Sequence, residues 1–252
     1  EDLESELGGD LGRTIQAMYK TPVDYDCSEL YRAMKGAGTD EESLIEIICS
    51  RTNSELIAIK KRFLELYKED LEKWVVSETS GDLRRILVSL LQCNRDGGSN
   101  INHSKLDEDV KRLYEAGEGQ WGTEESVFNE ILACRSSFEL AYINKKYIEV
   151  SGKSLFLVIG KEFDGDLEKC LKSILLSQIN PPEYFAERIH QACVGIGTND
   201  KLLIRILVSR DEIDLKEINK CYIAKYHKTL VEEISSECSG DYKNLLIAIV
   251  KT

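Results

Sequence analysis

The feature that most constrains the fold of this 252-residue chain is an internal repeat. Three segments align without a gap, the second lying 84 residues after the first and the third 75 residues further on. Aligned positions keep their residue type, as at Arg51, Arg135 and Arg210 and at Gly81, Gly165 and Gly240. Such a sequence predicts an array of similar units that bury their apolar faces against one another.

The spacing of apolar residues within each repeat is helical. Leu44, Ile47 and Ile48 follow the i, i+3, i+4 pattern of one helix face, and no strand-like alternation competes with it. Capping signals precede the helices, at Thr39-x-x-Glu42, Thr52-x-x-Glu55, Ser136-x-x-Glu139 and, more loosely, Asp211-x-x-Asp214. The sequence therefore predicts an all-α fold with about five short helices in each repeat.

A partial copy of the repeat opens the chain. Glu6 and Gly9 lie 72 residues before Glu78 and Gly81, so only the end of a first repeat is present. In order along the chain, the predicted segments are the end of repeat 1 at 1–22, repeat 2 at 24–93, a linker at 94–105, repeat 3 at 106–179 and repeat 4 at 183–252. We expect the site of repeat 1 to be absent or incomplete.

The charge and the cysteines exclude several classes of function. A net charge of −12 disfavours direct binding to nucleic acid, and binding to an anionic membrane would need an intervening cation. The eight cysteines form no CxxC pair, which argues against structural zinc. No paired nucleophile and base is evident, so we expect no enzyme activity. The acidic start does not resemble a signal peptide, which favours the cytosol.

Each repeat pairs a glycine-rich loop with a distant glutamate. Glu78, Glu162 and Glu237 each follow the last glycine of their loop by 40 residues. Ca²⁺ takes six to eight oxygen ligands, and such a loop offers backbone carbonyls while the glutamate adds a carboxylate. The loops lack a GxxxxGK[ST] phosphate-binding motif and an EF-hand pattern, whereas glycines that merely cap helices stay an alternative. The recurrence favours a calcium site whose open coordination positions a lipid phosphate can fill.

These motifs resemble the annexin family over essentially the whole chain. The resemblance rests on five strings, Lys35-Gly-Ala-Gly-Thr-Asp-Glu-Glu42, Glu78-Thr-Ser-Gly-Asp82, Gly119-Gln-Trp-Gly-Thr-Glu124, Ile204-Arg-Ile-Leu-Val-Ser-Arg210 and Cys238-Ser-Gly-Asp241. It implies an array of five-helix repeats that forms a curved disc, with calcium loops on the convex face that meet phospholipid.

The resemblance also implies the calcium ligands. They are Met34, Gly36, Gly38 and Glu78 in repeat 2, Gly117, Gln120, Gly122 and Glu162 in repeat 3, and Cys193, Gly195, Gly197 and Glu237 in repeat 4. The loop of repeat 3 departs from the family pattern at its first ligand. Trp121 and Lys35 are the predicted membrane contacts, because a loop tryptophan favours the headgroup region.

Calcium-dependent binding to acidic phospholipid is therefore the predicted function, with Ca²⁺ as the cofactor. The predicted location is cytoplasmic and peripheral on membranes, with the cell surface or the extracellular space as alternatives. A helical scaffold for protein partners, self-association and weak ion conduction also stay open. The charged residues Asp26, Glu46, Arg51, Arg205 and Arg210 match the central pore of annexins, and buried ion pairs between repeats explain them equally well.

Overall fold

The computed structural model contains α-helices and no strands over the residues that it describes, which are 8–97, 101–119, 122–195 and 197–251. Sixteen helices span these residues: α1 Gly9–Met18, α2 Pro22–Met34, α3 Glu41–Ser50, α4 Asn53–Tyr67, α5 Leu71–Glu78, α6 Gly81–Leu91, α7 His103–Ala116, α8 Glu125–Cys134, α9 Ser137–Ser151, α10 Leu155–Glu162, α11 Gly165–Ile179, α12 Pro181–Cys193, α13 Asp200–Arg210, α14 Leu215–Tyr226, α15 Leu230–Glu237 and α16 Gly240–Lys251. The predicted all-α class is confirmed.

The helices repeat in groups of five. Helices α2–α6, α7–α11 and α12–α16 form three successive groups, and α1 corresponds to the last helix of a group. The fourth helix of each group has eight residues, and the fifth begins at a glycine. The predicted array of five-helix repeats is therefore confirmed, while the limits assigned to each repeat stay a prediction.

The chain divides into two compact units, each with its own apolar core. One unit contains residues 26–179, and the other contains residues 180–252 together with residues 1–25. In the first, α3 packs against α11, and Phe63 and Tyr147 are fully buried at equivalent positions. In the second, Ala17, Tyr25 and Ile204 form a buried cluster. Among the described residues, no helix is both long and apolar enough to cross a bilayer.

Two of the predicted capping boxes are confirmed and two other predicted caps are wrong. The Thr52–Glu55 and Ser136–Glu139 boxes are both complete. Helix α3 is instead capped by Asp40, whose carboxylate accepts from the backbone N–H of Ser43, because the Thr39 hydroxyl donates to Glu78.

Helix α14 likewise begins one residue after Asp214 and not at Asp211. The Asp214 carboxylate makes no capping hydrogen bond. It accepts one hydrogen bond from Nε and one from Nη2 of Arg210, at 2.8 and 2.7 Å. The charge-assisted hydrogen bonds with Arg210 are stronger than a capping hydrogen bond, so Asp214 makes those and does not complete the predicted box.

Removal of a confirmed cap gives a direct test of the helix boundaries. We expect Thr52→Ala to lower the free energy of unfolding by about 1 kcal/mol, because the N–H of Glu55 loses its acceptor. Urea denaturation measures this change. Ser235→Ala, at an exposed position of α15, is the control. Its free energy of unfolding should stay within about 0.5 kcal/mol of that of the parent. Equal losses in the two variants would contradict the assigned cap.

Candidate metal centres

Three loops with the same closing hydrogen bond join the first and second helices of the repeats. In each, the residue before the second helix donates its backbone N–H to an alanine carbonyl near the end of the first helix, Asp40 to Ala33 at 2.8 Å, Glu124 to Ala116 at 2.8 Å and Asn199 to Ala192 at 2.7 Å. The loop of repeat 3 is one residue longer than the other two. This insertion explains why its sequence departs from the shared pattern at the first predicted ligand.

Glycines give these loops a backbone that other residues rarely adopt. The φ angle is +114° at Gly36 and +89° at Gly38, and the values at Gly195 and Gly197 are +120° and +84°. A Cβ atom at any of the four would meet nothing within 4 Å, so the backbone conformation and not the space requires glycine. The exposed loop can thereby turn without side-chain obstruction.

Substitution at one such position tests this requirement. We expect Gly38→Ala to destabilise the fold by about 1–2 kcal/mol, because alanine is strained at φ +89°. Urea denaturation again supplies the measurement. Gly97→Ala is the matched control, since Gly97 has no positive φ and its added Cβ would also lie in open space. If Gly97→Ala lowered the free energy of unfolding as much as Gly38→Ala, the positive φ angle would not be the reason for glycine at position 38.

The three predicted glutamates occupy equivalent positions at helix ends. Glu78, Glu162 and Glu237 are the last residues of α5, α10 and α15. A helix C-terminus carries the negative end of the helix dipole, so a carboxylate there creates a strongly negative position. That position suits a cation.

Two threonines tie the glutamates to their loops. The Thr39 hydroxyl lies 3.2 Å from both the Glu78 Oε2 atom and the Glu78 carbonyl oxygen. The Thr123 hydroxyl donates to Glu162 Oε2 at 2.8 Å. Each threonine directly follows the last glycine of its loop. The sequence pattern gave Thr39 a capping role and Thr123 none, although the recurrence of threonine beside that glycine was a usable signal for the site.

In repeat 4, the glutamate interacts electrostatically with the residue that precedes the loop. Burial raises the pKa of the Cys193 thiol to about 12, and the charges of Glu233 and Glu237 add to this effect. Cys193 is the last residue of α12 and immediately precedes the loop. The Glu237 carboxylate thus acts on the residue whose carbonyl is the first predicted ligand.

The loop of repeat 3 contains a second carboxylate that sequence analysis did not assign. Glu118 forms an ion pair with Lys153 and accepts a 3.5 Å hydrogen bond from the Tyr147 hydroxyl. Burial raises the pKa of Tyr147, and the charges of Glu118 and Glu162 raise it further. Two carboxylates thus lie near this loop. Gln120, Trp121 and the Glu6 of repeat 1 lie outside the described residues.

The exposed loop positions differ in chemistry between repeats. The Lys35 ammonium lies 5.0 Å from the centroid of the Tyr31 ring, within cation–π range. Val194 holds the equivalent place in repeat 4, and 58% of it is exposed. Sequence analysis missed Val194, although its alignment with Lys35 would have identified it.

The buried charged residues include ion pairs within single repeats. Arg51 donates to both carboxylate oxygens of Asp26, at 2.7 and 2.8 Å, and both residues are buried. In repeat 4 the guanidinium of Arg210 lies 4.5 Å from the centroid of the Phe185 ring and pairs with Asp214. Asp26 and Arg51 thus form a buried ion pair, but it lies within repeat 2 and not between repeats as the sequence interpretation had it.

The donor set of the loops fits a hard cation such as Ca²⁺. It combines backbone carbonyls with one carboxylate, whereas soft or borderline metals favour thiolate and imidazole. Among the described residues, no group of three or more His, Cys, Asp and Glu side chains could hold a metal ion. Any site in these loops would therefore use main-chain oxygens.

Comparison with known proteins identifies the family. A sequence model described as Annexin matches residues 25–90, 108–174 and 184–249. The chain therefore belongs to the annexin family. Human annexin A7 is 46% identical over 250 residues, which cover 99% of this chain and 51% of annexin A7. The chain thus spans about half the length of this relative.

Solved structures show the same fold. A structure of annexin III superposes with a TM-score of 0.95 at 37% identity, covering 100% of this chain and 78% of that one. A calcium-bound structure of annexin (Sm)1 superposes with a TM-score of 0.89 at 30% identity, covering 100% of this chain and 76% of the other. The similarity extends over the three loops described above.

Proposed function

We propose that this chain binds acidic phospholipid surfaces through Ca²⁺ ions shared between its loops and lipid phosphates. The observation that carries the proposal is the contact of Thr39 with Glu78 and of Thr123 with Glu162, which places a carboxylate beside a glycine-rich loop. A calcium-bound relative with the same fold supports the choice of cation. The chain acts in this account as a binding protein and not as an enzyme.

The proposed ligands are those that the family resemblance assigns. They are the carbonyls of Met34, Gly36 and Gly38 with the Glu78 carboxylate, those of Gly117, Gln120 and Gly122 with Glu162, and those of Cys193, Gly195 and Gly197 with Glu237. Three carbonyls and a bidentate carboxylate supply fewer oxygens than the six to eight that Ca²⁺ takes. The remaining positions are available to lipid phosphate.

Shared ligation makes calcium binding and lipid binding reinforce each other. Each ion is held weakly by the protein alone, because one carboxylate only partly neutralises it. A phosphate oxygen adds both charge and coordination, so each ligand raises the affinity for the other by the same factor. The ion also supplies the positive charge that a chain of net charge −12 needs to approach an anionic surface.

The exposed loop residues are proposed to contact the membrane directly. Lys35 provides a cation for anionic headgroups, and Trp121 suits the boundary between headgroups and acyl chains. Val194 adds an apolar contact in repeat 4, where 58% of the residue is exposed. The protein would accordingly be cytoplasmic and peripheral on membranes.

Co-sedimentation with vesicles tests this function. Vesicles containing phosphatidylserine should bring down the protein when Ca²⁺ is present and release it when a chelator is added. Vesicles of phosphatidylcholine alone should not bind it at the same Ca²⁺ concentration. Binding that persists in chelator would instead favour the scaffold alternative and contradict the bridging ion.

A further inference from the structure

A pair of buried cysteines links two repeats and has no role in the proposed function. Cys49 lies in α3 and Cys170 in α11, and their Sγ atoms are 3.6 Å apart. Cys49 is 1% exposed and Cys170 is fully buried. The Ser177 hydroxyl and the Gln178 amide of α11 both donate to the Cys49 carbonyl, at 3.1 and 3.2 Å, which fixes the two helices against each other. A disulfide needs an S–S distance of about 2.05 Å, so a small shift would join the two atoms.

The half-buried Arg95 guanidinium interacts electrostatically with one thiol of this pair, Cys49. Arg95 donates from Nη1 to the Arg135 carbonyl, but its buried Nη2 atom has no hydrogen-bond partner among the described residues. Burial lowers the pKa of Arg95 to about 10, and the nearby thiols of Cys49 and Cys134 act in the opposite direction. A guanidinium cation close to a thiol stabilises the thiolate, which is the reactive form.

Cys170 is the thiol of the pair that keeps its proton. The hydrogen bond with Cys49 raises the pKa of Cys170 well above its ordinary value, and burial adds to this effect. With the two Sγ atoms 3.6 Å apart, Cys49 is assigned as the first nucleophile and Cys170 as the thiol that resolves the intermediate.

A cavity lies along the same helix as Cys170. It has a volume of about 330 Å³ and is lined by Cys134 and by Leu171, the residue after Cys170 in α11. Hydrogen peroxide is close to water in size, and a cavity of this volume is much larger than a single water molecule requires. The cavity is therefore large enough to admit peroxide into this part of the unit.

We infer that Cys49 and Cys170 form a disulfide in the presence of hydrogen peroxide and so cross-link repeat 2 to repeat 3. The Cys49 thiolate attacks one peroxide oxygen, which breaks the O–O bond, and the departing hydroxide takes up a proton to give water. The Cys170 sulfur then attacks the sulfur of the resulting sulfenic acid, loses its proton and releases a second water. Two thiols are oxidised and one peroxide is reduced.

The expected consequence is greater stability of the compact unit formed by residues 26–179. The cross-link joins residues 121 positions apart in the sequence, and closing so long a loop removes many conformations from the unfolded chain. The thermal midpoint of unfolding should therefore rise by several degrees on oxidation and return to its starting value after reduction by dithiothreitol.

The test is peroxide treatment of the whole chain followed by thiol titration in denaturant and peptide mass spectrometry. We expect the count of free thiols to fall from eight to six, with the peptides of Cys49 and Cys170 joined and two hydrogens lost. Cys49→Ser and Cys170→Ser should each abolish the cross-link, whereas Cys221→Ser should retain it. Mass spectrometry of the parent chain shows whether Cys49 and Cys170 are joined even if a variant fails to fold.

Three outcomes would overturn the inference. They are retention of all eight thiols in peroxide, a disulfide between any other cysteines, and oxidation of Cys49 to sulfinic acid without a cross-link. Vesicle binding is measured separately, so failure of this inference leaves the proposed membrane function untouched.

Discussion

Replacement of Glu78, Glu162 and Glu237 together by glutamine should raise the Ca²⁺ concentration for half-maximal vesicle binding by at least about tenfold. Glutamine keeps the shape of the side chain but removes its charge and its ability to bind Ca²⁺ through two carboxylate oxygens. The threonine contacts can survive, because the amide oxygen still accepts from Thr39 and Thr123. The loss of vesicle binding would therefore come from weaker Ca²⁺ coordination and not from a change in the loop conformation.

A matched triple variant separates this effect from a general loss of negative charge. Glu65, Glu149 and Glu217 lie one to a repeat and belong to exposed ion pairs within single helices. Their replacement by glutamine changes the net charge by the same amount and should shift the Ca²⁺ midpoint by less than about twofold. Equal shifts in the two triple variants would show that the chain responds to overall charge and not to three defined sites.

Arg51→Met should lower the free energy of unfolding by about 3–5 kcal/mol, because Asp26 would then be a buried carboxylate without its cation. The same guanidinium also donates to the Ser50 hydroxyl at 2.9 Å. The additional change Asp26→Leu should restore part of the loss, since it removes the charge left unpaired. Urea denaturation of the parent, the two single variants and the double variant measures the coupling between the residues.

A surface pair provides the control for this prediction. Arg85 and Asp82 make a 2.7 Å contact, and both side chains are exposed. Arg85→Met should therefore cost no more than about 1 kcal/mol. The buried-pair explanation would be wrong if Arg51→Met and Arg85→Met were equally destabilising, or if Asp26→Leu added its full cost to that of Arg51→Met.

The fold was predictable because its signals are local and repeated. Helical spacing such as Leu44, Ile47 and Ile48 depends only on which side of a helix is buried, and this is visible in the sequence. The constant separation of 40 residues between loop and glutamate predicted that the two lie together, and Thr39 beside Glu78 agrees with that prediction. Recurrence in three repeats made each signal stronger than a single motif.

Details that depend on competition between side chains were not predictable in the same way. Thr39 fits a capping box by its sequence, but its hydroxyl binds a carboxylate that lies 39 residues away, and Asp40 caps the helix. The ion pair of Glu118 with Lys153 likewise joins positions that no local pattern connects. The hydrogen-bond and ion-pair partners of such side chains depend on which residues the fold places nearby. A local sequence pattern does not contain that information.

The most direct test is a crystal structure with Ca²⁺ and a soluble phosphatidylserine headgroup analogue. The account predicts an ion about 2.3–2.6 Å from the Glu78 carboxylate and from the carbonyl oxygens of Met34, Gly36 and Gly38, with a phosphate oxygen completing its coordination. Ca²⁺ bound elsewhere, with the loop and Glu78 unliganded at saturating calcium, would contradict it.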